Sequence, residues 1–391
     1  MTSSNNDFSF EGVKIFGRQG YWNVLVKNGE FVSIKGTPKS SGGIITPRFA
    51  DIHVHLDKTG TSQRAKRRAT SLFDAINLMA EDKINWTEED IYSRANNALD
   101  SAWKNGTGAM RTHVDWEAPQ IPLAWEILKA LKLEWKGRLE LQLASLSPLE
   151  VLVSHGEEIA KVLKRDDSVL GCFVYRNERI DEGIRHLFQL AAKHDVELDF
   201  HVDEGLDDDA SGLDVIIDEV DKQGFKRKVL CGHACSLAIR DPSNVFENLK
   251  KMADFGMGLT TLPTTNLWLQ DNIAGRTPRV RGLAPIIEAR KAGVDVMIAS
   301  DNCRDPFYPF GDYSLLSVYK LAVIAAHLEE ECWFESISSV PARWMGFDNS
   351  IKVGAEASFL WFNVGSFCSI LDQLEEECQV WNKGKIINVK C

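Results

Sequence analysis

Asp51-Ile52-His53-Val54-His55-Leu56-Asp57 closes an apolar run that begins at Gly43. Side chains two apart on a strand share one face, so His53 and His55 project together at the carboxyl end of that run. Two neutral imidazoles at this spacing suit one divalent metal ion. A histidine pair also arises on half-exposed strands that hold no metal, so the other polar strand ends decide the matter.

Outward from this stretch, short apolar runs alternate with segments of helical periodicity, the pattern of repeated β-α units and a parallel sheet. Eight candidate strands are Gly43 to Leu56, Gly108 to Asp115, Leu139 to Leu146, Ser168 to Tyr175, Val196 to Glu204, Lys228 to Ser236, Gly256 to Leu262 and Val294 to Asn302. Helical segments such as Leu72 to Ala80, Glu88 to Trp103, Glu150 to Leu163, Ile180 to His194, Leu213 to Asp221 and Leu283 to Ala292 are expected between them. Eight such units close into a (β/α)8 TIM-type barrel, which gathers catalytic side chains at the carboxyl ends of its strands. Val13 to Phe16, Trp22 to Lys27 and Glu30 to Lys35 are short β-prone runs around the turn Lys27-Asn28-Gly29-Glu30. Ser358 to Val364 and Cys378 to Val389, with the turn Asn382-Lys383-Gly384, echo them at the other end. Both ends are therefore assigned to one small β-domain, residues 1–46 and 350–391, around a barrel of residues 47–349.

The remaining strand ends carry the chemistry. The fifth run ends His201-Val202-Asp203-Glu204, the sixth contains Gly232-His233-Ala234, and the eighth ends Ser300-Asp301-Asn302. His53, His55, His201 and Asp301 make a set of three imidazoles and one carboxylate with room for a water, the arrangement of a catalytic metal site. Asp301 is then placed to accept a proton from that water, and His233 to orient it and stabilise the oxyanion formed on attack. Glu204 is suited to carry protons to a ring nitrogen and a departing amine. His113 and Asp115 also stand at a strand end, either lining the pocket or supporting ligands from behind. Cys231, His233 and Cys235 share strand parity and could imitate a zinc set, although strand interiors more often bury such cysteines. Asp207-Asp208-Asp209 and Glu329-Glu330-Glu331 read as solvated charge.

Bulk properties narrow the function further. A chain of 391 residues, 44% hydrophobic and 26% charged, buries a substantial core in one large domain with a small companion. A net charge of -11 argues against a nucleic-acid partner, which needs clustered Lys and Arg. Met1 to Gly12 has neither the basic start nor the apolar core of a secretory signal, so a cytoplasmic location is expected. The longest apolar runs, such as Leu321 to Leu328, fall short of the roughly 20 residues that cross a bilayer, so no membrane association is expected. The eight cysteines include no C-x-x-C pair and read as small buried hydrophobes.

The segments Pro47 to Asp57, Arg111-Thr112-His113-Val114-Asp115, His201-Val202-Asp203-Glu204, Asn266-Leu267-Trp268-Leu269-Gln270 and Asp301 to Gly311 extend over nearly the whole chain. In combination they resemble the amidohydrolase superfamily and, within it, the bacterial cytosine deaminase group. The resemblance implies one iron or zinc ion on His53, His55, His201 and Asp301, with Glu204 and His233 handling protons. It also implies a β-sandwich flanking the barrel, and homo-oligomeric assembly is expected with it. The reaction implied is attack of metal-bound hydroxide on an amidine carbon, followed by loss of ammonia. Binuclear relatives use a carboxylated lysine on the fourth strand, and Ser168 to Tyr175 contains none.

The departures from that family concern the substrate pocket. Leu146-Ser147-Pro148 stands where cytosine deaminases place a glutamine, Phe307 where they carry a tryptophan, and Asn302 where they carry a second aspartate. Substrate contacts are accordingly expected at Leu146, Ser147, Asn302, Phe307 and Trp268, with a hydrogen-bond pattern unlike that for cytosine. Ser300-Asp301-Asn302-x-Arg304-Asp305 also resembles the branch that removes isopropylamine from N-isopropylammelide, whereas the retained Glu204 favours a free-amine deaminase. The expected substrate is a cytosine-like or other amino-substituted N-heterocycle; hydrolysis of an N-alkyl aminotriazine or cyclic amide at the same metal is the alternative. A noncatalytic binding protein on this scaffold would lack a ligand or the proton shuttle, and the sequence has both.

Overall fold

In the computed structural model, which describes residues 7–372 and 378–388, the chain alternates between two sheets. β1 (Phe8–Ile15), β2 (Tyr21–Lys27), β3 (Glu30–Thr37) and β4 (Ile44–Pro47) precede eight central strands. These are β5 (Phe49–Val54), β6 (Thr107–Asp115), β7 (Glu140–Pro148), β8 (Leu170–Val174), β9 (Leu198–Val202), β10 (Val229–His233), β11 (Gly258–Thr261) and β12 (Asp295–Ile298). β13 (Phe359–Phe362), β14 (Cys378–Asn382) and β15 (Lys385–Asn388) follow. β5 to β12 pair in parallel in chain order. The two outermost strands of that order also meet: Val54 bridges Asp301, whose amide donates to the His53 carbonyl oxygen at 2.8 Å. The sheet is thereby closed into the expected (β/α)8 barrel.

Helices return the chain between these strands. α1 (Leu72–Asp82) and α2 (Glu88–Lys104) follow β5, and α3 (Leu123–Trp135), α4 (Leu149–Arg165), α5 (Ile180–His194), α6 (Gly212–Gln223) and α7 (Pro242–Asp254) each follow one strand in turn. Capping fixes where the first two begin. Ser71 accepts from the Asp74 amide and Thr87 from the Asp90 amide, satisfying donors that a helix start leaves free. Ile184, Leu187, Phe188 and Ala191 of α5 recur at helical spacing and are buried in the large core between helices and barrel.

The single strand expected from Gly43 to Leu56 is two strands, divided at Arg48. Pro47 has no amide proton to extend the barrel ladder, and β4 pairs instead with β13 and β1 of the small sheet. The Arg48 guanidinium, buried at this junction, donates to the Arg138 carbonyl and to Asn382 Oδ1, each at 3.0 Å. It thus ties the two sheets together. The small sheet runs β15-β14-β13-β4-β1-β2-β3. Val13, Ile15, Val24, Val26, Phe31, Ile45, Phe359 and Trp381 form its core. The expected tail run extends to Val389, which lies outside the described residues, as do residues 1–6 of the polar start.

β1 serves both halves of this sheet. It pairs antiparallel with β2 up to Val13 and parallel with β4 at Lys14 and Ile15, with a register shift between Phe10 and Val13. Gly12 makes the shift with φ of 60°, and a Cβ there would lie 2.4 Å from the Lys39 carbonyl oxygen. We expect Gly12→Ala to destabilise the protein by about 1–3 kcal/mol, through left-handed backbone strain and this clash. A thermal midpoint equal to that of the wild type would remove the assigned role.

Cys172, Cys231, Cys235 and Cys303 are buried free thiols, as expected. Cys332 and Cys368 are exposed, because their short helices lie at the surface, and Cys378 is disulfide-bonded; these three depart from the expectation of buried, unpaired cysteines. Cys391 lies outside the described residues. Among the described residues, no helix is long and apolar enough to cross a membrane.

Candidate active site

The carboxyl ends of β5, β9, β10 and β12 bring together residues far apart in the chain. Ligand atoms of His53, His55, His201 and Asp301 all lie within 4.8 Å of one another, and all four residues are buried. His201 Nε2 stands 2.9 Å from His53 Nε2 and 3.2 Å from His55 Nε2. Asp301 Oδ1 is 3.6 Å from the first of those rings and 3.1 Å from the second. Ligands at about 2.1 Å from a tetrahedral ion stand about 3.4 Å from each other, so this spacing fits one ion. The backbone turns sharply to aim these groups. Asp203, His233, Ala234 and Asp301 all have left-handed φ, between 47° and 68°. Non-glycine residues adopt that conformation at a cost of order 1–3 kcal/mol each, a strain that concentrates at functional sites.

Electrostatics supports the same fit. Burial, then the neighbouring imidazoles, holds His53 and His201 well below the ordinary histidine range. Burial, then the Lys58 ammonium, lowers His55 to about 4. All three rings are therefore neutral near pH 7, with lone pairs free for a metal. Burial opposes the charge on Asp301, but the neighbouring His55 and His233 rings keep its carboxyl below the usual range. Among the described residues neither of its buried oxygens has a hydrogen bond of good geometry, although His55 Nε2 stands 3.1 Å from Oδ1. A buried carboxylate left in that state is costly, and a cation at the convergence point satisfies it.

Beside this group lie Glu204 and His233. Glu204 Oε1 is 3.4 Å from His233 Nδ1, and Asn266 Nδ2 is 3.1 Å from the same nitrogen. With the amide as donor, Nδ1 accepts and the ring proton sits on Nε2, which has no hydrogen-bond partner among the described residues. Burial lowers His233 to about 4, keeping the ring neutral. Burial and then the nearby Asp301 raise Glu204 well above the ordinary range, so it holds a proton. Gln270 Nε2 anchors the Glu204 carbonyl oxygen at 2.6 Å.

A cavity of about 330 Å³ opens over these residues. Leu146, Asn302 and Phe307 line it with His55, His201, Glu204, His233 and Asp301. Among the described residues Ser147 and Trp268 do not line it. Ser147 is buried within β7, and Trp268 packs edge-on against Phe310 with ring centroids 5.4 Å apart. Of the pair left open by the sequence, Asp115 lines the cavity. His113 lies behind it, its ring 4.1 Å from that of His53. Asp199 Oδ2 is 3.2 Å from His113 Nε2 and 2.7 Å from Arg111 Nη1. His53, His113 and Asp199 also approach as a metal set, but the buried guanidinium already neutralises that carboxylate. Cys231 and Cys235 belong to neither metal-ligating group.

Lys58 is a charged cavity residue that the sequence does not announce. It is 4% exposed, its ammonium 2.7 Å from Asp115 Oδ1 and 3.2 Å from His55 Nδ1, and it lies over the Phe307 ring at 5.6 Å. Its position in His55-Leu56-Asp57-Lys58 gives a weak signal, since lysine so close to a metal ligand ordinarily turns to solvent.

Residues 173–380 match the model of the amidohydrolase family. A pterin deaminase of Rhizobium rhizogenes is 33% identical over 88% of this chain and 81% of its own length. An N-isopropylammelide isopropyl amidohydrolase of a Pseudomonas species is 25% identical over 90% of this chain and 89% of its own. Among solved structures, a 5-methylcytosine deaminase of Klebsiella pneumoniae superposes with a TM-score of 0.86 at 22% identity, covering 97% of each chain, which shows a shared fold. From the family match, the extent of the pterin deaminase similarity and the converging histidines and aspartate, we conclude that this chain is an enzyme of the amidohydrolase family.

Proposed function

We propose that the protein hydrolytically deaminates an amino-substituted N-heterocycle, using one zinc or iron ion held by His53, His55, His201 and Asp301. The observation that carries this reading is the placement of Glu204 and His233, 3.4 Å apart, beside that ligand set in one cavity. The ion, when bound, lowers the pKa of water to about 7 and polarises the carbon under attack.

The chain's own groups supply the rest. Asp301 accepts the proton released from the attacking water. His233 Nε2–H donates to the oxygen on which charge develops, and the Asn266 amide at Nδ1 holds the required tautomer. Glu204 gives its proton to the ring nitrogen, takes up the proton of the hydroxyl on the attacked carbon as that C–O bond becomes a carbonyl, and passes it to the amine as the C–N bond breaks. The proton held by Asp301 then restores Glu204. Leu146, Asn302 and Phe307 position the ring, with Asn302 fixed through its amide to Asp305 Oδ2 at 2.7 Å. A cavity with apolar walls and few polar groups suits a flat aromatic heterocycle. Similarity to a pterin deaminase places pterins among the first compounds to test.

Similarity to an N-isopropylammelide amidohydrolase along 90% of the chain favours a second reading, in which an alkylamine leaves the same site. Incubating the metal-loaded protein with aminopyrimidines, aminopurines, pterins and N-alkyl aminotriazines separates the two. Ammonia from one of the first three classes is the expected product, and alkylamine without ammonia would select the second reading. Neither product from any class would remove both.

A further inference from the structure

The floor of the cavity is polar, and of its walls the one formed by α1 is apolar, while Lys83, Asp115, Glu117 and Glu150 line another part. The reacting end holds His55, His201, Glu204, His233 and Asp301, whereas α1 turns Phe73, Ile76, Met79 and Ala80 into the same space. Their spacing traces one face of the helix, and a second apolar face, with Ala75 and Leu78, packs into a neighbouring core that includes Leu269 and Phe307. α1 therefore presents apolar side chains to protein on one side and to the cavity on the other. Phe73 is 45% exposed and Ile76 36%. These side chains are inside the substrate cavity and only partly covered.

The wall is held in place at both ends. Phe73 stacks on Tyr175, with ring centroids 5.9 Å apart and planes 15° from parallel. Just beyond the helix, Lys83 Nζ lies 3.1 Å from Asp115 Oδ2 and 2.5 Å from Glu117 Oε1. A one-ring substrate with its amino-bearing carbon at the polar floor leaves this wall against water. A cavity of about 330 Å³ lies in the range that buries a larger ligand.

We infer that the substrate carries a second ring, or an apolar substituent of similar size, on the side away from the reacting carbon, and that α1 selects it through Phe73, Ile76 and Met79. This rests on the amino-heterocycle reading above for the orientation of the substrate, while the apolar subsite itself is testable by binding alone. Apolar pockets discriminate by roughly 10-fold or more for each methylene that they cover or leave bare, so a second ring gives a measurable difference.

Equilibrium dialysis of the full-length, metal-loaded protein against 2-amino-4-oxopteridine and cytosine compares a two-ring with a one-ring probe. The wild type is expected to bind the pteridine at least 10-fold more tightly. Ile76→Asp should reduce that ratio by 10-fold or more, and Ile76→Leu should retain it. Phe73→Asn, also at a part-exposed position, provides the same test where Ile76→Asp does not fold. Equal binding of the two probes by the wild type, failure of both to bind, or equal weakening of both by the variants would overturn the subsite. Ammonia release is scored separately. If the binding ratios behave as expected but neither these probes nor the other heterocycle classes named above yield ammonia, the reaction assignment falls and the subsite stands. If both probes yield ammonia and the variants leave the ratio unchanged, the subsite alone falls.

Discussion

Glu204→Gln is expected to slow ammonia release by 100-fold or more while the protein keeps its full complement of metal. The substitution preserves size and shape beside His233 Nδ1, from which Glu204 Oε1 stands 3.4 Å away. What it removes is an exchangeable proton. Burial, followed by the repulsion of the nearby Asp301 carboxylate, keeps Glu204 protonated, and an amide cannot pass a proton to a ring nitrogen or an amine. Because Glu204 is not one of the four converging ligands, metal content should not change. Steady-state turnover measured beside elemental analysis tests both halves. Turnover within about threefold of the wild type would contradict the proton-carrying role, since general acid-base groups contribute roughly 100-fold or more.

His201→Ala should act on the other half of the machinery. We expect metal content to fall below about a tenth of the wild-type value and turnover by roughly 1000-fold or more, because the water would return toward its bulk pKa. His201 Nε2 is the atom approached by both other rings, at 2.9 Å and 3.2 Å, so its loss opens the centre of the ligand set and not its edge. The variant should still fold. His201 lies on β9, whose barrel pairing uses backbone groups that the substitution leaves in place. Circular dichroism checks the fold, and elemental analysis checks the metal. Full metal occupancy in this variant would show that the ion binds elsewhere.

The parts of this arrangement visible in the sequence share one physical origin. His53, His201, His233 and Asp301 each end an apolar run, and in a barrel the ends of such runs converge, so side chains scattered along the chain could be grouped before any distance was known. The segment from Gly43 to Leu56 was legible only in part. It has one hydrophobic pattern, and only Pro47 marks where the backbone leaves the small sheet for the barrel. α3, α7 and α10 (Leu315–Ala326, where α8 is Pro263–Leu269 and α9 is Ile286–Ala292) fall outside the expected helices. α3 follows Pro122 without a side-chain cap to mark its start, and α10, though capped by Ser314, is apolar nearly all round and so shows no clear face. Lys58 was hidden for another reason. Its burial depends on Asp115, a partner on the next barrel strand that no local pattern connects to it. The apolar inner face of α1 was equally invisible, because periodicity announces a stripe without saying whether protein or a cavity lies against it.

The seam of the barrel gives the ligand set a second consequence. The amide of Asp301 donates to the carbonyl oxygen of His53, and the side chains of these same two residues converge on the candidate ion position. An ion held by both would act as a removable clasp across the joint between the first and last barrel strands. Its binding energy would then be shared between chemistry and architecture, so that a cell short of metal would hold not merely an idle enzyme but a hoop more easily sprung.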